Sequence, residues 1–256
     1  MVRGLYTSGV GMMAVMRKFD VISDNIANAD TTGFKKDTVI TRSFSEELMK
    51  RLDDPASNQT AHSVRVGRVS LGVFVDTLNT NFGSGAIRIT DNEFDLAING
   101  DGFFTIGTTD ENGEYAEKYS RDGSLTVRNG LLVTKDGNTV LGLNGVITLP
   151  EGEFTVSEAG EVRVNGEYID TLRMTSFTDN QTLRKYKDNL YSTTPESELT
   201  NFQGRVQQGA LEASNVNSIS EMVDMITVNR LYEANQRVIT TIDTTLGRAV
   251  NDISRK

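Results

Sequence analysis

A single histidine, His62, and no cysteine set narrow limits on the chemistry open to this 256-residue chain. Without thiols there is no disulfide, no thiolate metal site and no cysteine nucleophile. One imidazole cannot build a multi-histidine metal centre. A serine hydrolase would have to take His62 as its base, and no Gly-x-Ser-x-Gly elbow accompanies it. No Gly-x-x-x-x-Gly-Lys-Ser/Thr phosphate loop is present either. His62 follows the run Asp53-Asp54-Pro55-Ala56-Ser57-Asn58-Gln59, which reads as an exposed loop, so a solvated side chain is the simplest reading of it. Carboxylates remain. The chain carries 35 acidic residues, and a glycosidase needs two of them facing a cleft across ~5–10 Å. Most belong to Asp-Gly turns or helix faces, where local geometry accounts for them, and no tryptophan is available to stack on a sugar. Asp101, Asp122 and Asp136 lack the spacing of an EF-hand calcium loop. No residue is assigned a catalytic, cofactor-binding or metal-binding role, and the chain is expected not to be an enzyme.

The charge balance narrows the partners. With 26 basic against 35 acidic residues the net charge is −9, which argues against nucleic acid and against an anionic membrane surface. No apolar run approaches the 18 residues of a spanning helix. Arg3 followed by the uncharged stretch from Gly4 to Met16 loosely imitates a signal peptide. That stretch is rich in glycine, and Arg17-Lys18 follow with no Ala-x-Ala site, so no cleavage is expected. The negative excess lies in residues 46–204, with 25 acidic against 14 basic groups, while both ends are close to neutral. Neutral ends can pack against copies of themselves, and an acidic middle keeps the chain soluble.

Those ends read as helices. Leu5, Met12, Phe19 and Ile26 recur every seven residues, and Ser8, Val15 and Ile22 fill the intervening positions, giving an a/d seam. Gly33 reads as the stop, with Lys35 and Lys36 just beyond. Gly4, Gly9 and Gly11 weaken this helix by ~1 kcal/mol each relative to alanine, so it needs a partner surface. The C-terminal helix is stronger. Ser218-x-x-Glu221 forms a capping box. Ile219, Val223 and Ile226 begin an apolar stripe, and Leu231, Val238, Ile242, Leu246, Ala249 and Ile253 continue it after a shift of face. Glu233 and Arg237 stand in the favourable i, i+4 order.

Between the helices the apolar period changes to two, as in Val69, Leu71, Val73 and Val75. Asn-Gly or Asp-Gly begins at 99, 101, 112, 122, 129, 136, 144 and 165, and these dipeptides supply the positive φ of tight hairpins. Short apolar runs lie between them, the pattern of an antiparallel sandwich or barrel. Residues Phe44 to Leu52 are compatible with a short helix. A fragment spanning 86–204 is expected to fold by itself.

Four motifs, in order along nearly the whole chain, carry a family resemblance. Asp24-Asn25-Ile26-Ala27-Asn28-Ala29-Asp30-Thr31-Thr32-Gly33-Phe34-Lys35 resembles the N-terminal signature of bacterial flagellar rod and hook proteins. Phe94 to Phe104 and Tyr119-Ser120-Arg121-Asp122-Gly123 are similar to its central motifs. Gly209-Ala210-Leu211-Glu212-Ala213-Ser214-Asn215-Val216, with Met222-Val223 and Tyr232-Glu233-Ala234-Asn235 beyond, resembles the C-terminal signature. The length is similar to rod proteins of the FlgG/FlgF type.

The expected fold is α+β: terminal helices pairing as a coiled coil around a central all-β antiparallel domain, sandwich- or barrel-like. Its divisions are an N-terminal helix segment (1–40), an extended connecting segment (41–85), a central β-domain (86–204) and a C-terminal coiled-coil helix (205–256). The candidate assembly interface is Leu5, Met12, Val15, Phe19, Ile22 and Ile26 with Ile219, Val223, Ile226, Leu231, Val238, Ile242, Leu246 and Ala249. The motif residues are Asn25, Asn28, Thr31, Gly33, Phe34, Ser214, Asn215 and Val216, the two asparagines satisfying backbone groups at the helix end. The resemblance implies a structural subunit that self-associates into a helical rod, the hollow axial drive shaft of the basal body. Implied partners are other rod and hook proteins and the type III export apparatus, with no cofactor, nucleic acid or small-molecule substrate. Implied localisation is the flagellar basal body in the periplasm or cell-wall space, reached without signal cleavage. A hook or hook-associated subunit is the nearest alternative; a secreted carbohydrate-active β-domain is the alternative of another class.

Overall fold

A computed structural model of the chain describes residues 2–44, 47–51, 64–70, 72–109, 115–187 and 189–253. The loop 53–59, His62, Leu71 and the Asn112-Gly113 turn lie outside these residues. Helix α1 spans Val2–Ala27 and helix α2 spans Ser218–Ile253. The chain forms two compact units: Met1–Asp24, Asp37–Asn79 and Ile219–Lys256 make a helical unit, and Asn25–Lys36 with Thr80–Ser218 makes a β-unit.

In the helical unit the two helices run side by side in opposite directions. A Cβ at Gly4 would lie 3.1 Å from Ile242 Cδ1, and one at Gly11 would lie 3.6 Å from the Asn235 amide. As α1 advances seven residues, its neighbour on α2 recedes by seven. The low helix propensity of these two glycines is offset by the close approach they permit. The segment read as a connection holds paired strands: Asp37–Ser43 with Val73–Thr80, and Glu47–Arg51 with Val64–Val69. The helix expected over Phe44 to Leu52 is therefore corrected. Pairing from Glu47↔Val69 to Arg51↔Val64 decides the conformation there, because strand formation follows cross-strand context more than local preference.

The β-unit is built around the strand Phe103–Thr109, buried on both faces up to its last residue. Phe104 and Ile106 enter the main core with Leu96, Leu132 and Val140. Phe103 points into a separate aromatic cluster with Tyr119, Phe177 and Tyr191. Tyr115–Ser120 and Thr139–Gly142 flank this strand, both antiparallel. The order continues outward through Leu131–Thr134 to Leu125–Arg128 on one side, and through Leu190–Ser192 to Arg184–Lys185 on the other. That path is open, so the barrel-like alternative falls for the described residues. The Asn-Gly signals hold where strands are adjacent in sequence: Asn129-Gly130 (φ 54° and 75°) and Asn165-Gly166 (φ 53° and 84°) make two-residue hairpin turns. They fail at Asn99-Gly100, because Leu96–Asn99 pairs instead with the distant Arg205–Gln208.

Candidate assembly site

The N-terminal signature begins where α1 ends. The helix stops at Ala27, not at Gly33, and Asn28 Oδ1 accepts a hydrogen bond from Thr31 Oγ1 at 3.1 Å. Asn25, one turn earlier, is fully buried. Gly33 has φ +66°, and a Cβ there would lie 2.5 Å from the Arg121 carbonyl carbon. Its role is close backbone approach in a left-handed conformation. That approach lets Gly33 N–H donate to Glu212 O at 2.8 Å and Thr32 Oγ1 donate to Asp122 Oδ1 at 2.6 Å. Phe34 is buried beneath Lys185, whose Nζ lies 4.0 Å from the ring centroid.

The next residue delivers a buried charge. Lys35 Nζ donates to Glu212 Oε1 at 2.6 Å and to Gly83 O at 2.9 Å. The same carboxylate oxygen accepts from Gly85 N–H at 2.7 Å. Glu212 Oε2 is paired by charge with Arg121 Nε at 3.2 Å, outside hydrogen-bond alignment. Arg121 spends its other donors on Gly102 O (2.8 Å) and Gly100 O (2.6 Å). The three side chains are 1–2% exposed. Burial pushes the Lys35 ammonium below the usual lysine range, with Glu212 opposing the shift. Burial likewise lowers Arg121, again opposed by Glu212 and by Asp101. Two cations thus share one buried anion, and the backbone carbonyls of Gly83, Gly100 and Gly102 accept further donors from them.

The C-terminal signature completes the site. Asn215 Oδ1 accepts from Lys36 N–H at 2.8 Å, and its Nδ2 donates to Asn81 O and Gly83 O. Ser214 Oγ accepts from Val216 N–H at 3.3 Å. Gly33 and Phe34 of the N-terminal signature and Asn215 of the C-terminal one are brought together around this charge cluster. Lys35, Arg121 and Glu212, which form it, were absent from the candidate list. The available signal was a lone acid inside the apolar run Ala210-Leu211-Glu212-Ala213.

The helix seam requires a larger correction. On α1, Ser8 and Ile22 are buried and Met12, Val15, Phe19 and Ile26 are half-buried, whereas Leu5 is exposed. On α2 the covered positions are Glu221, Met225, Val228, Tyr232, Asn235, Ile239, Ile242, Leu246 and Ala249. Val15 and Phe19 share an apolar groove of about 200 Å³ with Val228 and Tyr232. Ile242, Leu246 and Ala249 thus lie on the expected stripe. Ile219, Val223, Ile226, Leu231 and Val238 do not; they are exposed on other faces of the helix. The seam keeps a strict seven-residue spacing through the polar Glu221 and Asn235, which an apolar count passes over.

Three sequence families match the chain. One described as "Flagella basal body rod protein" covers residues 5–35. The "Flagellar hook protein FlgE/F/G D1 domain" covers 97–164, and the "Flagellar basal body rod FlgEFG protein C-terminal" covers 207–252. The flagellar basal-body rod protein FlgG of Bacillus subtilis is 32% identical over 268 residues, 98% of this chain and 99% of its own length. This chain belongs to the flagellar basal-body rod protein family. Rod-family relatives also include FlgF of Caulobacter vibrioides, 34% identical over 90% of this chain and 89% of its own. A flagellar hook-basal body complex protein of Bacillus subtilis, FlhO, is 30% identical over the full length of both chains. None of these rod-family descriptions names an enzyme. The three matched segments each contribute one member of the buried triad: Lys35, Arg121 and Glu212.

Proposed function

We propose that this chain is a structural subunit of the flagellar basal-body rod, assembling helically through α1 and α2 into a hollow axial shaft. The observation that carries the reading is the pairing of two helices of low net charge whose outward faces carry exposed apolar side chains, at the ends of a chain in the rod family. The helices pack as a coiled coil within the shaft wall. Open heterologous contacts make filaments, and rigid packing along them transmits torque. The bore passes exported subunits. The subunit itself leaves through the type III export apparatus without signal cleavage, takes its place in the periplasm or cell-wall space, and abuts other rod and hook proteins. The buried Lys35–Glu212–Arg121 clamp ties the N- and C-terminal signatures together within the β-unit.

The test is direct. Full-length chain, purified as monomer and concentrated, should form straight hollow filaments visible by electron microscopy. A chain that stays monomeric at millimolar concentration, or closes into small rings, contradicts the reading.

A further inference from the structure

We propose that the outward faces of α1 and α2 form a socket and a knob for a second copy of this chain, with Ile226 of one copy seated over Gly9 of the next. The proposal rests on the rod-subunit reading and adds the contact itself. At ~100° per residue, Gly4, Gly11, Val15 and Ile22 mark the side of α1 that faces α2. Tyr6, Gly9 and Met13 fall on the opposite side, with Met13 72% exposed, while Leu5 and Met16 flank it and Met16 also edges the groove shared with Val228 and Tyr232. On α2 the seam side carries Glu221, Val228, Asn235 and Ile242. Ile219, Met222, Val223 and Ile226 lie opposite, with Ile219 74% exposed. The two apolar stripes therefore occupy opposite faces of the helix pair. A contact between them repeats from copy to copy instead of closing as a two-fold dimer.

Gly9 supplies the second observation. Gly4 and Gly11 are accounted for within the copy by Ile242 and Asn235, but among the described residues a Cβ at Gly9 would meet nothing within 4 Å. Glycine inside a helix is unfavourable, and this one leaves a gap in the middle of an exposed apolar stripe, the shape of a hole awaiting a knob. The spacing of the opposite stripe fits it. Copies sharing one direction bring α1 of one against α2 of the next in antiparallel sense. Met13 and Gly9, four residues apart, then meet Met222 and Ile226, also four residues apart. Within a copy residue 11 is level with residue 235; between copies residue 9 is level with 226. The neighbour is displaced by about eleven residues, or roughly 16 Å along the helix axis. Each stripe offers on the order of 400 Å² of apolar surface, within the range of the largest patches on soluble monomers. One such contact falls well short of the ~1,600 Å² total of a stable dimer. An isolated pair should dissociate, and only an array in which each copy uses both stripes should persist.

The chain has no native cysteine, so engineered pairs report contacts without background. Full-length Met13→Cys and Met222→Cys chains, mixed, concentrated and oxidised, should give a mixed disulfide dimer. The doubly substituted chain should give a ladder. Gly9→Leu fills the socket from a position where a Cβ meets nothing within 4 Å among the described residues. Its monomer should keep the parent's helix content or exceed it by circular dichroism, while the concentration needed for sedimentable assembly rises at least tenfold. Assemblies that form without the Met13→Cys to Met222→Cys bridge, or a Gly9→Leu chain that assembles at the parent's concentration, overturn this contact and leave the rod reading standing. A parent chain that never assembles overturns both.

Discussion

Replacing Glu212 with glutamine removes the only anion among three buried charges. Lys35 and Arg121, each no more than 2% exposed, are left facing an uncharged amide. Removing one partner of a buried pair costs about 3–5 kcal/mol because the remaining charge stays desolvated. A domain holds only ~5–15 kcal/mol in total, so Glu212→Gln should consume a large share of the stability of the β-unit. In a unit of ~150 residues each kcal/mol moves Tm by ~2–4 °C, giving an expected fall of about 6–20 °C. The assay is thermal unfolding followed by near-ultraviolet circular dichroism, in which Tyr119 and Tyr191 of the aromatic cluster report on the β-unit. The pH dependence carries its own sign. Burial holds Lys35 below the ordinary value of 10.5, and loss of Glu212 removes the group that opposes this shift. Between the folded and unfolded pKa values the unfolded chain binds the extra proton, so stability rises with pH through that window. The deficit of Glu212→Gln should therefore shrink as pH approaches 10. A second substitution, Lys35→Met, should recover part of the loss at pH 7. A Glu212→Gln variant melting within about 1 °C of the parent would refute the idea that charge compensation at Glu212 holds the clamp together.

Three further outcomes follow from the same geometry. Phe19→Asp places a carboxylate in the groove shared with Val228 and Tyr232; burial of an unpaired charge costs several kcal/mol, so assembly and motility should fail while the near-ultraviolet signal of the β-unit persists. Gly33→Ala adds a left-handed penalty of ~1–2 kcal/mol to a 2.5 Å approach to the Arg121 backbone, and should lower the melting temperature of the β-unit, measured by calorimetry, without changing α1. The fragment 86–204, expected from sequence to fold alone, omits Lys35 and Glu212 and strands Arg121; it should unfold without a cooperative transition by circular dichroism, whereas full-length protein melts sharply.

What the sequence made legible was local. Val15, Phe19 and Ile22 fall on the packed side of α1 because an apolar heptad is visible residue by residue. Asn129-Gly130 and Asn165-Gly166 mark hairpins because the required positive φ belongs to the dipeptide itself. The α2 seam was hidden by its own composition. Polar Glu221 and Asn235 sit on the covered side, while Ile219, Val223 and Ile226 face outward. A helix with two apolar faces gives no single stripe to follow. The charge clamp was hidden by distance along the chain, since Lys35 and Glu212 are 177 residues apart. A lysine just past a glycine looks solvated until the partner that buries it is known. The pairing of Leu96–Asn99 with Arg205–Gln208 is nonlocal in the same way, and it places the Asn99-Gly100 turn outside any hairpin.

Hydrogen exchange, compared between dilute monomer and sedimented assembly of the full-length chain, tests the central claim most directly. Helices held along a single seam exchange readily, so amides of residues 5–26 and 219–250 should be weakly protected in the monomer and strongly protected in the assembly. Amides of Leu96–Asn99 and Phe103–Thr109, already in the core, should be unchanged. New protection appearing in the β-unit, with both helices still exchanging at the monomer rate, would contradict assembly through the terminal helices.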